Sequence, residues 1–99
     1  MAYKNKVPTA GEILASEFME PLNISQYRLA KALGIPQTRI SNIVNGKLGV
    51  SVDTDLRLCK YFGLTDGYFI GLDTDFERFI VEKKIKGELK RIIPLKIKK

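Results

Sequence analysis

Histidine and tryptophan are absent from this 99-residue chain, and cysteine occurs once, at Cys59. Without histidine, and with a single thiol, structural zinc sites and the Ser-His and Cys-His forms of nucleophilic catalysis are excluded. An internal disulfide is excluded as well. No apolar run approaches the ~18 residues that a membrane span needs. The opening "MAYKNKVPTAGEI" lacks the apolar stretch of a secretory signal, so a cytoplasmic location is expected, with no membrane partner. Cys59 sits in "LRLCKYF", on an apolar helix face, where a thiol is usually a small buried hydrophobe. Nothing beside it in sequence would depress its pKa and make it reactive. Carboxylates are scattered, and Asp66, Asp73, Asp75 and Glu77 read as cap and surface positions rather than a catalytic pair. No catalytic residue, metal ligand or cofactor is expected, and the chain is not read as an enzyme.

What remains is a chain with 44% hydrophobic and 28% charged residues, enough for one small domain with a modest core. Its net charge of +6 is unevenly placed. Residues 83–99 carry eight bases and one acid, Glu88, whereas residues 1–82 carry nine bases and ten acids. A nearly neutral body, 1–82, is therefore followed by a basic tail, 83–99. Such a tail suits nucleic acid, an acidic protein partner, or solubility alone.

The body reads as five helices. Thr9 and Glu12 form a capping box for the first, with Leu14, Phe18 and Leu22 on one face and Pro21 at its end. Ser25 caps the second, which runs through Leu29, Ala30 and Leu33 to Gly34. Pro36 opens the third at its first turn, Ile40, Ile43 and Val44 form its inner stripe, and Asn45-Gly46 ends it. Ser51 caps the fourth, whose core face is expected at Val52, Leu56, Cys59 and Phe62 up to Gly63. Thr65 or Asp66 should cap the fifth, with Phe69, Leu72, Phe76 and Phe79 inward as domain core. In the tail, Ile93, Leu95 and Ile97 alternate with Pro94, Lys96 and Lys98 at strand period. An edge strand at a dimer contact is the favoured reading, and disorder the alternative.

Two helices joined by a short turn containing Gly34 form the helix-turn-helix pattern. In that motif the second helix enters the DNA major groove and meets base edges through its N-terminal residues. Gln37, Thr38, Ser41 and Asn42 are polar and lie opposite the apolar stripe, with Arg39 beside them. Amide side chains can bond adenine bidentately, hydroxyls can donate or accept, and an arginine can read guanine or clamp a phosphate. Gln26 at the start of the second helix, and Asn45, Gly46 and Lys47 at the end of the third, are candidate phosphate contacts. A polar helix face is most often merely solvated, which is the competing reading.

The stretch "SQYRLAKALGIPQTRISNIVNGK" resembles the helix-turn-helix of the phage-repressor (Xre-like) family. More narrowly, "TAGEIL", "EPL", "SQYRLAKALG", "TRI" and "VDTDLRL" resemble the HigA/VapI-type antitoxins of bacterial toxin–antitoxin modules. The likeness covers Gly11 to about Leu72, with Ala10 where that family places proline. Its fifth helix usually opens with proline-glutamate-phenylalanine-tryptophan-leucine; here "TDGYFIGL" has Asp66 and Phe69 in the proline and tryptophan places. Gly67 and Gly71 are expected to loosen this helix by roughly 0.5–1 kcal/mol each relative to alanine.

The resemblance implies an all-α, compact five-helix Xre-like domain acting as a homodimer on a palindromic double-stranded DNA operator. It implies repression of the chain's own operon and neutralisation of a cognate HigB-like, mRNA-cleaving toxin. By the same likeness Gln37, Thr38 and Ser41 match base-reading positions, and Gln26 and Asn45 match phosphate-holding ones. The alternatives are a stand-alone Xre-type transcriptional regulator without a toxin, and a protein-interaction module that no longer binds DNA.

Overall fold

In a computed structural model, residues 7–96 are described, and all their regular structure is helical. Helix α1, Ala10–Ile13, continues without a break into a π-helical stretch, Leu14–Met19. Then follow α2, Gln26–Leu33; α3, Gln37–Val44; α4, Val52–Phe62; α5, Tyr68–Lys84; and α6, Lys86–Arg91. Among the described residues no helix is long and apolar enough to cross a membrane.

The local signals that start α1 to α4 act as expected. The Thr9 hydroxyl accepts the Glu12 N–H at 3.1 Å while the Glu12 carboxylate accepts the Thr9 N–H at 2.9 Å. Ser25 and Ser51 accept the N–H groups of Arg28 and Thr54. Pro36 stands one place outside α3 as its extended N-cap, a one-residue shift of a helix boundary. In the π-helical turn the Glu20 N–H reaches back five residues to the Ala15 carbonyl. The widened turn ends at Pro21, which has no N–H to continue the ladder.

The core gathers Leu14, Leu29, Ile40, Ile43, Leu58 and Phe69, each at most 2% exposed. Phe18 packs beside it against Phe62 and Phe69, with ring centroids 4.8 and 5.5 Å apart. Three expected core positions lie outside: Leu22, Val52 and Leu56 are 56%, 65% and 45% exposed. Leu22 follows the helix end, so it leaves the stripe that Leu14 began. On α4 the inward stripe is Thr54, Asp55, Leu58 and Cys59, rotated from the apolar count. Two polar side chains can face inward there because both are satisfied. Thr54 bonds the Ser51 hydroxyl, and Asp55 accepts the N–H groups of Gly67, Phe69 and Ile70.

Asp55 also replaces the expected cap of α5. Neither Thr65 nor Asp66 caps this helix; Gly67 is its N-cap at φ +96° and offers no side chain. The left-handed turn suits glycine, so Gly67 carries no helix-interior penalty, whereas Gly71 lies inside α5. Asp73, expected as a surface or cap acid of its own helix, instead fastens others. One oxygen accepts the Ala10 N–H at 2.8 Å and the other the Val50 N–H at 2.9 Å.

Phe76 and Phe79 are only half-buried, because the later turns of α5 run past the body. The tail differs from its strand reading. Lys83 and Lys84 finish α5, Lys86–Arg91 form α6, and Ile92 to Lys96 have no regular structure and no strand partner among the described residues. A lone strand has nothing to pair its backbone with. Ile97, Lys98 and Lys99 lie outside the described residues.

Candidate nucleic-acid interface

Gly34 ends α2 in the left-handed conformation at φ +70°, and α3 begins three residues later. The α3 stripe of Ile40 and Ile43 is buried against the core, with Val44 half-buried beside it. At 3.6 residues per turn, Gln37, Ser41, Thr38 and Asn42 span an outward arc of roughly 140°. Gln37, Thr38 and Asn42 are exposed and Ser41 is half-buried. Ser41 is tied to the next turn, since its hydroxyl accepts the Asn45 side-chain amide at 3.4 Å.

The end of α3 closes tightly. The Asn42 carbonyl accepts the N–H groups of Lys47 at 2.8 Å and Leu48 at 3.1 Å around Gly46, whose φ is +77°. Asn45, Gly46 and Lys47 are all exposed on this corner. Gln26 is half-buried at the start of α2 and shares a groove with Asn23, Ser25 and Val44. The structure thus brings the α3 residues onto one face and places Gln26 beside the far end of that helix.

Arg39 departs from this group. It lies on the flank of the arc, with its guanidinium 3.4 Å from the Asp53 carboxylate of α4. The same Asp53 oxygen accepts from Arg57 Nε at 2.8 Å, and Arg57 donates to the Leu33 carbonyl at 2.7 Å. Arg57 thereby holds the last carbonyl of α2 and the first turn of α4 together across the turn. Asp53 and Arg57 stand at helical i,i+4 spacing, a signal visible in the sequence. Their links to Leu33 and Arg39 cross 24 and 14 residues and are not.

A second support comes from Gly11. A Cβ added there would fall on the Ile43 carbonyl oxygen, 2.8 Å from its carbon and 3.2 Å from Val44 Cα. The absence of a side chain lets α1 rest directly on the backbone of α3. The Asp73 bonds to Ala10 and Val50 hold the start of α1 and the loop that follows α3 in place beside this contact.

This arrangement, a polar outward arc on the second of two helices joined at a left-handed glycine, matches a helix-turn-helix family model over residues 16–69. The chain belongs to the Xre-like helix-turn-helix family. This helix-turn-helix protein is 38% identical over 96 residues to virulence-associated protein I of Dichelobacter nodosus, covering 95% of this chain and 88% of that one. A solved antidote protein of the HigA family from Coxiella burnetii is 34% identical, with a TM-score of 0.82 over 92% of this chain and 100% of that one. Antitoxin HigA of Pseudomonas aeruginosa, solved with the higBA promoter, is 27% identical. Its TM-score is 0.83, again over 92% of this chain and 100% of that one. The helix-turn-helix protein shares its fold with both along nearly its whole length.

Proposed function

We propose that this chain is a sequence-specific DNA-binding antitoxin of a type II toxin–antitoxin module. Two copies bind a palindromic operator, repress their own operon, and bind and neutralise a HigB-like mRNA-cleaving toxin. The observation that carries the reading is the outward arc of α3, where Gln37, Thr38 and Asn42 stand exposed over a buried Ile40–Ile43 stripe. Side chains on such a mount reach base edges when the helix enters a major groove. Ser41 lies half-buried within that row and Arg39 on its flank. Gln26, Asn45, Gly46 and Lys47 mark its two ends, where phosphates would be held. A two-fold dimer sets its recognition helices about 34 Å apart, one turn of duplex. The Pseudomonas antitoxin of the same fold, solved with promoter DNA, and the HigA-family Coxiella protein support both halves of the proposal. In this reading the body, 1–82, recognises the operator and the basic tail, 83–99, adds affinity for the DNA backbone. The chain acts by binding, in the cytoplasm, without catalysis.

The test is fluorescence anisotropy on DNA from upstream of the chain's own reading frame, against random duplex. A specific regulator prefers the former by about a thousandfold or more. Gln37→Ala should weaken operator binding by roughly 1–3 kcal/mol and leave random-duplex binding unchanged, because it removes a base contact and no charge. Equal loss on both duplexes would remove Gln37 from base reading. Equal, weak binding by the unaltered chain would overturn the DNA reading. For the toxin, an adjacent frame for a small basic protein is expressed with and without this chain. Its mRNA cleavage should stop when the two are mixed, and unabated cleavage would leave a regulator without a toxin.

A further inference from the structure

Two arginines share one carboxylate beside the recognition helix, and they do not share it equally. Arg57 Nε lies 2.8 Å from Asp53 Oδ1 and the same guanidinium is committed to the Leu33 carbonyl at 2.7 Å. Arg39 makes one longer contact, 3.4 Å, to the same oxygen. Its side chain is 36% exposed and that of Asp53 is 58% exposed, so both are within reach of an approaching polyanion. Arg57 is anchored to Asp53 and to the Leu33 and Gly34 carbonyls, and Arg39 at one weak point.

We infer that Asp53 is a positioning residue for DNA recognition, which holds Arg39 against α4 and keeps its charge from attaching to arbitrary phosphates. This rests on the DNA-binding reading above. By pairing with Arg39, Asp53 neutralises the cation that flanks the arc. On random DNA that pairing stays in place, so it weakens nonspecific binding. A bound operator that engages the α3 arc brings a partner near enough to draw Arg39 off its single contact. Nonspecific DNA, without those contacts, leaves Arg39 where it is. Asp53 therefore widens the gap between operator and random DNA.

The experiment measures binding of the full chain to operator and to random duplex across a salt series, for the unaltered protein, Asp53→Asn, Arg39→Gln and the double variant. Asp53→Asn should tighten random-duplex binding about three- to tenfold near 0.1 M salt and steepen its log–log salt slope by about 0.9, the signature of one more phosphate neutralised. Operator affinity should rise less, so the preference shrinks. Adding Arg39→Gln should abolish both gains. A purely structural role for Asp53 would weaken binding to both duplexes and steepen no slope. An unchanged slope in Asp53→Asn, with the unaltered protein still preferring the operator, overturns this inference alone. Gains that persist in the double variant overturn it too, by assigning the freed charge to Arg57. Failure of the unaltered protein to prefer the operator would instead remove the DNA reading itself.

Discussion

Replacing Asp55 with alanine should destabilise the protein more than any surface change, although the residue is an acid on a helix whose apolar count points elsewhere. Its carboxylate is 2% exposed and accepts the N–H groups of Gly67, Phe69 and Ile70 at 2.6, 2.9 and 3.1 Å. The Cys59 thiol donates to it as well, at 3.6 Å. In Asp55→Ala, Gly67 is exposed and its N–H can return to water, but Phe69 is buried and Ile70 half-buried. Two N–H groups at the start of α5 would then be orphaned, at about 1–3 kcal/mol each. Better helix propensity at an alanine returns roughly 0.7 kcal/mol. The net expectation is a loss of about 1–5 kcal/mol, with its middle near 3 kcal/mol, out of a total of roughly 5–15 kcal/mol for a domain of this size. At about 4–8 °C per kcal/mol, the middle of that range lowers the thermal midpoint by roughly 12–24 °C. Asp55→Asn should lose about half as much, because one amide oxygen still accepts while the amide nitrogen meets the Gly67 N–H donor to donor. Circular dichroism melting and urea titration of the three proteins give the comparison. A loss below about 1 kcal/mol for Asp55→Ala, ordinary for a single mutation, would refute the claim that this carboxylate caps α5.

Two further outcomes follow from the packing. Gly11→Ala should cost about 1–3 kcal/mol by overpacking, since the new methyl meets α3 backbone rather than a movable side chain. It should also weaken operator binding by shifting α3. Unchanged melting and binding would show that α1 does not rest on that helix as described. Cys59 is fully buried, and desolvation, with the Asp55 charge adding to it, pushes its thiol above the ordinary range. A group with a raised folded pKa contributes stability that is present below its unfolded pKa and lost as pH rises through the folded one. Denaturant midpoints should therefore decline in alkaline solution, less so in Cys59→Ala. A disulfide reagent should label the thiol only on unfolding, and rapid labelling of the native protein would refute the burial.

Much of the body was legible along the chain because its deciding interactions are local. Thr9 with Glu12, Ser25 with Arg28 and Ser51 with Thr54 each close within three residues, so a cap can be read where it stands. The division of α3 into Ile40–Ile43 and the Gln37, Thr38, Ser41 and Asn42 arc follows from helical period alone. The family, too, was readable from "SQYRLAKALGIPQTRISNIVNGK", whose likeness the comparisons bear out.

Distance along the chain set the limit. The cap of α5 comes from Asp55, 14 residues before Phe69, so Thr65 and Asp66 looked better placed than they are. Which stripe of α4 turns inward depended on the N–H groups waiting for Asp55, and an apolar count cannot weigh a buried acid whose partners lie on another helix. Arg39 read as a free cation until α4 brought Asp53 beside it. By itself the sequence determined where the first four helices begin and which face of α3 is polar, because these are settled within a turn or two of backbone. Only the tertiary structure decided which charges are spent inside the molecule, which glycine another backbone touches, and how α3 is aimed, because each needs groups far apart in sequence to meet.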